Sequence, residues 1–269
     1  MRDIHSFPDP RHALAVRVAI QAGRKIIETS RRESVIKDEA SRELVTEVDR
    51  EAETLITEAI RLAFPEDAIL GEEHGLVPGT SGYTWVIDPI DGTTNYTNRI
   101  PVFCVSVAVF DGPLPAIGVA YDPTRDDLFH AMRGQGAFHG AERIAVKSKP
   151  LSVHALFGYS SRFIGPAPPH VLRMLEFFDE YRNLGSAVLH LCYTACGWLD
   201  GAFADSTKLW DIASGGLILE EAGGRVMDFA FNPLFPLSHE MTFYERTYIP
   251  FLATGDCSDL SVLKNAFHL

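Results

Sequence analysis

Between Ala68 and His139 the chain breaks into short apolar runs, AIL, TWVI, VFCVSVAVF, AIGVAY, LFHAM and GAFH. Each run is too short for a stable helix. Tight-turn segments separate them, such as DGPLP at 111–115 and DPTRDD at 122–127. Runs of this length between turn signals predict strands. Tight turns join neighbours running in opposite directions, because a parallel pair needs a long crossover. The stretch therefore predicts a meandering, mainly antiparallel sheet.

The flanking segments are of another kind. Ala13, Val16, Ile20, Gly23 and Ile27 recur at helical spacing, which predicts a helix over 10–29. The polar segment RRESVIKDEASRE reads as a loop or short hairpin. A second helix is predicted over 48–64, with Val48, Ala52, Leu55, Ala59 and Ala63 as its buried stripe and Pro65 as its stop. A subdomain boundary falls near Lys149-Pro150, dividing 1–150 from 151–269, and GPAPPH at 165–170 reads as loop. Beyond it helices are predicted at 168–181, 186–200 and 211–222, the last closed by Gly223-Gly224. Strands are predicted at 225–229 and 250–254. Two helices, a sheet, then alternating helices and strands make stacked layers rather than a simple doubly wound sheet.

With 46% hydrophobic residues in 269, the chain has ample material for a core. Its formal net charge of −12 argues against a general nucleic-acid binder, which carries a basic face. It does not exclude a phosphorylated substrate, because a bound divalent cation reverses the local field. Cys104, Cys192, Cys196 and Cys257 lack a second Cys/His pair at zinc spacing and read as reduced core thiols. No h-region marks the N-terminus as a signal peptide. No apolar stretch approaches the ~20 residues of a membrane span. A soluble cytoplasmic protein is expected.

The chemistry concentrates in TWVIDPIDGTTNY, 84–96. A strand ends in Asp88, Pro89 stops it, and a turn can bring Asp91 to the same point. Gly92 permits a backbone conformation closed to other residues. Thr93 and Thr94 begin a helical turn whose amides favour an anion. Two hard oxygen ligands and a phosphate cradle suit magnesium, which takes a few carboxylates, several waters and phosphate oxygens. GEEHG at 71–75 places Glu72 at another strand end, and TKLWDIASGG at 207–216 places Asp211 at the start of a helix. Four carboxylates from different elements can surround two cations and bind both oxygens of an in-line displacement. GYSSR at 158–162 is not a nucleophile elbow, and no nucleophilic Ser or Cys constellation stands out.

These segments resemble the inositol monophosphatase family of lithium-sensitive, magnesium-dependent phosphatases. LVTEVDREAE at 44–53, GEE at 71–73, WVIDPIDGTTNY at 85–96, GVAYDP at 118–123, GQGAF at 134–138, LGSAVLHLCYTACGWLDG at 184–201 and WDIASGGLILEEAGG at 210–224 carry the likeness over nearly the whole chain. The resemblance implies a single domain over 1–269 with the sugar-phosphatase fold, an α/β sandwich of alternating helix and sheet layers (αβαβα). It implies two or three Mg2+ ions. Glu72 would ligate the first and position the attacking water, Asp88 would bridge two, the Ile90 carbonyl would ligate the first, and Asp91 and Asp211 the second. Gly92 and Thr93 would bind phosphate, and Thr93 with Asp49 would activate the water. Lys37 matches a family lysine near the mouth of the site.

The implied activity is hydrolysis of a small phosphorylated metabolite by activated water. Myo-inositol 1-phosphate is the default substrate; histidinol phosphate, fructose 1,6-bisphosphate and adenosine 3′,5′-bisphosphate are alternatives, and a non-catalytic relative is disfavoured because every ligand is kept. Gly185, Ser186 and Ala187 match inositol contacts. The inositol-binding glutamate of the family falls at Ala204, seven positions before Asp211. Asp205 and Lys208 are the nearby candidates for substrate contact. The family is commonly homodimeric.

Overall fold

The computed structural model describes residues 4–29, 35–37, 44–147, 149–160, 166–255 and 260–268. Helix α1 (Pro10–Thr29) leads through an antiparallel pair, β1 (Val35–Lys37) and β2 (Leu44–Thr46), into α2 (Glu47–Ala63). Within the polar segment, the described residues 35–37 pair antiparallel with 44–46.

The meander follows as β3 (Ala68–Gly71), β4 (Gly75–Val77), β5 (Tyr83–Asp91), β6 (Cys104–Asp111), β7 (Leu114–Asp122), β8 (Asp127–Met132), β9 (Gly136–His139) and β10 (Glu142–Ile144), with short α3 (Thr93–Thr97) after β5. These strands form one eight-stranded sheet in the order β10-β9-β8-β7-β6-β5-β3-β4. Every pairing is antiparallel except β3 with β5. The exception arises because β4 folds back to the outer edge of β3, so β5 returns on its inner side in the same direction.

The second half gives β11 (Leu156–Tyr159), α4 (Pro169–Phe177), β12 (Glu180–Arg182), α5 (Ala187–Ala195), β13 (Gly201–Thr207), α6 (Ala213–Glu221), β14 (Arg225–Met227), α7 (Met241–Arg246), β15 (Ile249–Thr254) and α8 (Ser261–His268). Its five strands form a mixed sheet in the order β12-β11-β13-β15-β14. The helix predicted to reach residue 181 stops at Phe177, because 180–182 pairs in parallel with β11. The helix predicted over 186–200 ends at Ala195 in a turn held by Gly197 and Trp198 amides.

Three apolar clusters order these elements into five layers. Leu14, Val18, Ile26, Ile56 and Ile60 of α1 and α2 pack on Trp85, Val107 and Val119 of the first sheet. On its other face, Leu189, Leu191, Leu217 and Ile218 of α5 and α6 fill the space between Phe129 of that sheet and Ala202 and Phe251 of the second. Phe157, Phe203 and Leu252 turn the second sheet's far face to Val171 and Met174 of α4 and Leu263 and Phe267 of α8. Each such fully buried side chain contributes about 1.5–3 kcal/mol. The order is αβαβα, as the resemblance implies. Among the described residues no helix is long and apolar enough to cross a membrane.

Candidate metal centre

The site forms where β5 ends. Asp88 pairs with Ser106 and Asp91 with Cys104, so three steps along β5 oppose two along β6. The extra residue is a bulge containing Pro89 and Ile90. Residues three apart on a regular strand face opposite ways; the bulge removes that alternation and re-aims Asp91. The Ile90 amide donates to Asp88 Oδ1 at 2.9 Å and fixes the turn. Asp88 and Asp91 are both buried. Their carboxylate oxygens and one from Asp211 lie within 4.8 Å of one another.

Asp211 arrives from the far half of the chain. It lies two residues before α6 rather than on it, and its Oδ2 accepts from the Lys208 amide at 2.8 Å. Ser106 holds this corner to β6: its hydroxyl meets the Ser214 hydroxyl at 2.6 Å and donates to the Trp210 carbonyl at 3.2 Å.

Asp91 is gripped by the start of α5. The Ser186 hydroxyl and the Ala187 and Val188 amides all donate to its carboxylate, the amides at 3.3 and 2.8 Å. Ser186 also caps α5 by accepting from the Leu189 amide at 3.1 Å. Two residues before Ser186, Leu184 is clamped at both backbone groups: its carbonyl accepts from Asn95 Nδ2 at 2.6 Å, and its amide donates to His190 Nε2 at 3.1 Å. An acceptor Nε2 fixes the neutral His190 tautomer with its proton on Nδ1, which donates to Ser160 Oγ at 2.8 Å. That imidazole cannot take a proton from Ser160, so the pair is no nucleophile and base. Asn95 is a supporting position that sequence reasoning passed over, whereas His190, one helical turn after Ser186, reads from the sequence as packed rather than catalytic, and it is fully buried. The Asn95 partners are backbone carbonyls, of Val102 and Leu184, which leave no residue pattern.

Glu72 follows β3 and its amide donates to the Ile87 carbonyl at 3.2 Å. The next two amides, of Glu73 and His74, both donate to the buried carboxylate of Glu53 on α2 at 2.9 Å. One turn earlier on that helix, Asp49 is buried too. Gly92 has φ of +108° and begins α3. A Cβ there would lie 3.1 Å from both the Val102 carbonyl and Phe103 Cβ. The Thr93 hydroxyl donates to the Ile90 carbonyl at 3.0 Å, which brings the predicted metal-binding carbonyl and the predicted water-orienting hydroxyl together.

The cluster holds more negative charge than protein alone satisfies. Burial first, and Glu72, Asp91 and Asp211 next, push the Asp88 carboxyl well above the ordinary range. Asp91 is pushed up to about 7 by burial and then Asp211, against the lowering effect of its three donors. Glu72 is exposed by surface area, but its carboxyl end is crowded by protein, and by the charges of Asp211, Asp49 and Glu73, so it too is raised. Carboxylates that gather protons in this way are relieved by a divalent cation, and all-oxygen donors match a hard one.

The substrate-side candidates are dispersed. Gly185 and Ala187 flank Ser186 beside Asp91. The Lys208 ammonium sits 4.3 Å over the Tyr248 ring and donates to the Glu245 carbonyl at 3.2 Å, so its side chain is engaged with the last turn of α7 and the residues that follow it. Asp205 is half-buried and its charge is felt by His170 of α4. Ala204 is fully buried in the α5–α6 cluster. The Lys37 side chain and Cys257 lie outside the described residues. Cys104 and Cys192 are buried free thiols, and Cys196 is a partly buried one.

Residues 8–249 match the model of the inositol monophosphatase family. The chain is 38% identical over 229 residues to the Nus factor SuhB of Pasteurella multocida, covering 82% of this chain and 86% of the relative. It is 37% identical over 253 residues to the Nus factor SuhB of Pseudomonas aeruginosa, covering 89% and 90%. Among solved structures, the extragenic suppressor protein suhB of Bartonella henselae superposes with a TM-score of 0.84 at 28% identity, covering 97% of this chain and 99% of the other. An inositol monophosphatase from Anabaena superposes with a TM-score of 0.77 at 30% identity, covering 95% and 93%.

Proposed function

From a chain that belongs to the inositol monophosphatase family, we propose magnesium-dependent hydrolysis of small phosphate monoesters, with myo-inositol 1-phosphate the first substrate to test. The observation that carries this reading is the convergence of Asp88, Asp91 and Asp211 to within 4.8 Å, beside the left-handed Gly92 that opens α3.

Asp88, Asp91, Asp211, Glu72 and the Ile90 carbonyl would hold two magnesium ions, with a third loosely near Glu72. Bound magnesium neutralises phosphate charge and lowers the pKa of nearby water. The rest falls to side chains and backbone. Glu72 orients the attacking water from the strand end. Thr93 supplies a hydroxyl and Asp49 a buried carboxylate to accept the proton. The Gly92 and Thr93 amides, in the first turn of α3 where no intrahelical acceptor exists, hold the phosphate oxygens.

Gly185, Ser186 and Ala187, with Asp205 and Lys208, are assigned to the leaving-group side. Ser186 acts there through Asp91, its hydrogen-bond partner. Ala204 offers a methyl group where a polyol would need a carboxylate. A missing buried carboxylate–hydroxyl contact costs about 1.5–3 kcal/mol, so acceptance of several sugar and polyol phosphates is expected. A phosphate-release screen with magnesium over inositol 1-phosphate, histidinol phosphate, fructose 1,6-bisphosphate and adenosine 3′,5′-bisphosphate tests this. Release from none would refute the reading. A preference for inositol phosphate of less than about tenfold (about 1.4 kcal/mol) would remove the specific assignment and leave the chemistry.

A further inference from the structure

We infer that Glu53, which is neither metal ligand nor catalytic residue, is the positioning residue that sets Glu72 against Asp49. The inference rests on the proposed phosphatase reading for its kinetic consequence and on geometry alone for its structural one.

Glu53 lies on the buried face of α2 and is fully enclosed. A carboxylate in such a place needs donors. It has three, all from the segment just after Glu72. The Glu73 amide donates to Oε2 at 2.9 Å, the His74 amide to Oε1 at 2.9 Å, and His74 Nδ1 meets Oε1 at 2.8 Å. On the other side the Glu72 amide is tied to the Ile87 carbonyl. The backbone of Glu72 is thus pinned between β5 and α2. Charge-assisted bonds to two successive amides fix direction as well as distance.

The same carboxylate fixes the helix. Asp49 and Glu53 are four residues apart and share one face of α2. Docking Glu53 on the 73–74 amides sets the axial position of α2 against β3, and with it the position of Asp49 relative to Glu72. The fit is close: a Cβ on Gly71 would lie 2.1 Å from Glu53 Oε1 and 2.5 Å from its Cδ. Glycine at 71 is what lets the carboxylate reach the turn. Arg50, on the adjoining face, stands 3.6 Å from Glu73 and adds a weaker tie between the same two segments.

Two substitutions disturb this anchor differently. Glu53→Gln keeps the size but places an NH2 group against an N–H donor, so one amide loses its acceptor. Gly71→Ala keeps the carboxylate and displaces it. Both should lower kcat at least tenfold while KM for the best substrate of the screen stays within threefold. Phosphate grip comes from α3 and the Asp88–Asp91 turn, which neither change touches. Glu53→Asp, which restores an acceptor on a shorter arm, should recover part of the loss.

Hydrogen exchange supplies a readout independent of turnover: the Glu73 and His74 amides should lose at least tenfold protection in Glu53→Gln, with the rest of the first sheet unchanged. If Glu53→Gln does not fold, Gly71→Ala carries both measurements. A folded variant with kcat within twofold of wild type, or with unchanged exchange at 73 and 74, overturns the inference. If the wild type releases no phosphate, the proposed function fails, and the exchange result still decides the anchor.

Discussion

Replacing Asp88 by asparagine should stabilise the metal-free protein while abolishing its response to magnesium. The carboxylates of Asp88, Asp91 and Asp211 come within 4.8 Å of one another. Two like charges at that distance repel by about 3.5 kcal/mol at an effective dielectric of about 20. The Asp91 carboxyl shows a cost of the same order, set first by burial and then by the Asp211 charge. Its rise from 3.8 to about 7 corresponds to about 4 kcal/mol, at about 1.4 kcal/mol for each tenfold change in proton affinity. A carboxyl raised in the native state binds protons that the unfolded chain releases. Stability is therefore full below about pH 4 and is lost as pH climbs toward the native value.

Asparagine at 88 removes one charge, keeps an acceptor for the Ile90 amide, and offers Glu72 a permanent donor. In chelator at pH 8 it should raise stability by about 3 kcal/mol, or about 6–12 °C in melting temperature for a chain near this size. At pH 5, where the wild-type cluster holds its protons, the gain should largely vanish. Wild type at a hundred times its dissociation constant of magnesium should gain about 2.7 kcal/mol, and the variant almost nothing. Scanning fluorimetry at the two pH values, with chelator or magnesium, reads all of this. An Asp88→Asn protein no more stable than wild type in chelator at pH 8, or equally stabilised at both pH values, refutes the reasoning.

Three further outcomes are expected. His190 is held neutral by burial, with its pKa lowered to about 3. Between pH 6.5 and 4.5 the unfolded chain takes up a proton there that the native state refuses, and wild type loses about 2 kcal/mol at this site. The stability difference between wild type and His190→Gln in urea should shrink by that amount over the interval; a constant difference contradicts the neutral tautomer. Ser186→Ala removes one of three donors to Asp91 and should raise the magnesium needed for half activation about 10–100-fold; unchanged magnesium dependence contradicts the grip of α5 on Asp91. Millimolar lithium should inhibit phosphate release by occupying the second metal position, and full activity in lithium would count against that assignment.

The parts legible in the sequence are those built from local pattern. Short apolar runs between turns announced the first sheet, and the helical stripes of α1 and α2 announced the layer that covers it. Asp88 and Asp91 were legible because a strand, a proline and a glycine stand within a few residues. The bulge that joins their side chains was not, since it is defined by pairing with Ser106 and Cys104. Strand β12 was hidden inside an expected helix because its pairing with β11 is between distant residues and overrides local preference. Glu53 left a trace that can be read in retrospect: a second acid, after Asp49, on the buried stripe of α2, between Ala52 and Ile56. Asn95 left none, because its partners are backbone carbonyls. The Lys208 side chain, a sequence candidate for substrate contact, is engaged by Tyr248 and Glu245, partners some 40 residues along the chain.

The central claim is that the carboxylates gathered at the end of β5 and before α6 form a magnesium centre that hydrolyses phosphate esters. The most direct measurement is the initial rate of phosphate release from inositol 1-phosphate and the screening panel, for wild type and Asp91→Asn, in magnesium and in chelator. Removing a proposed ligand should exceed the roughly 10–100-fold cost of disturbing a ligand's neighbour. The account expects release by wild type in magnesium, none in chelator, and a fall of about a hundredfold or more in Asp91→Asn. Equal rates for the two proteins, or release undiminished in chelator, would contradict it.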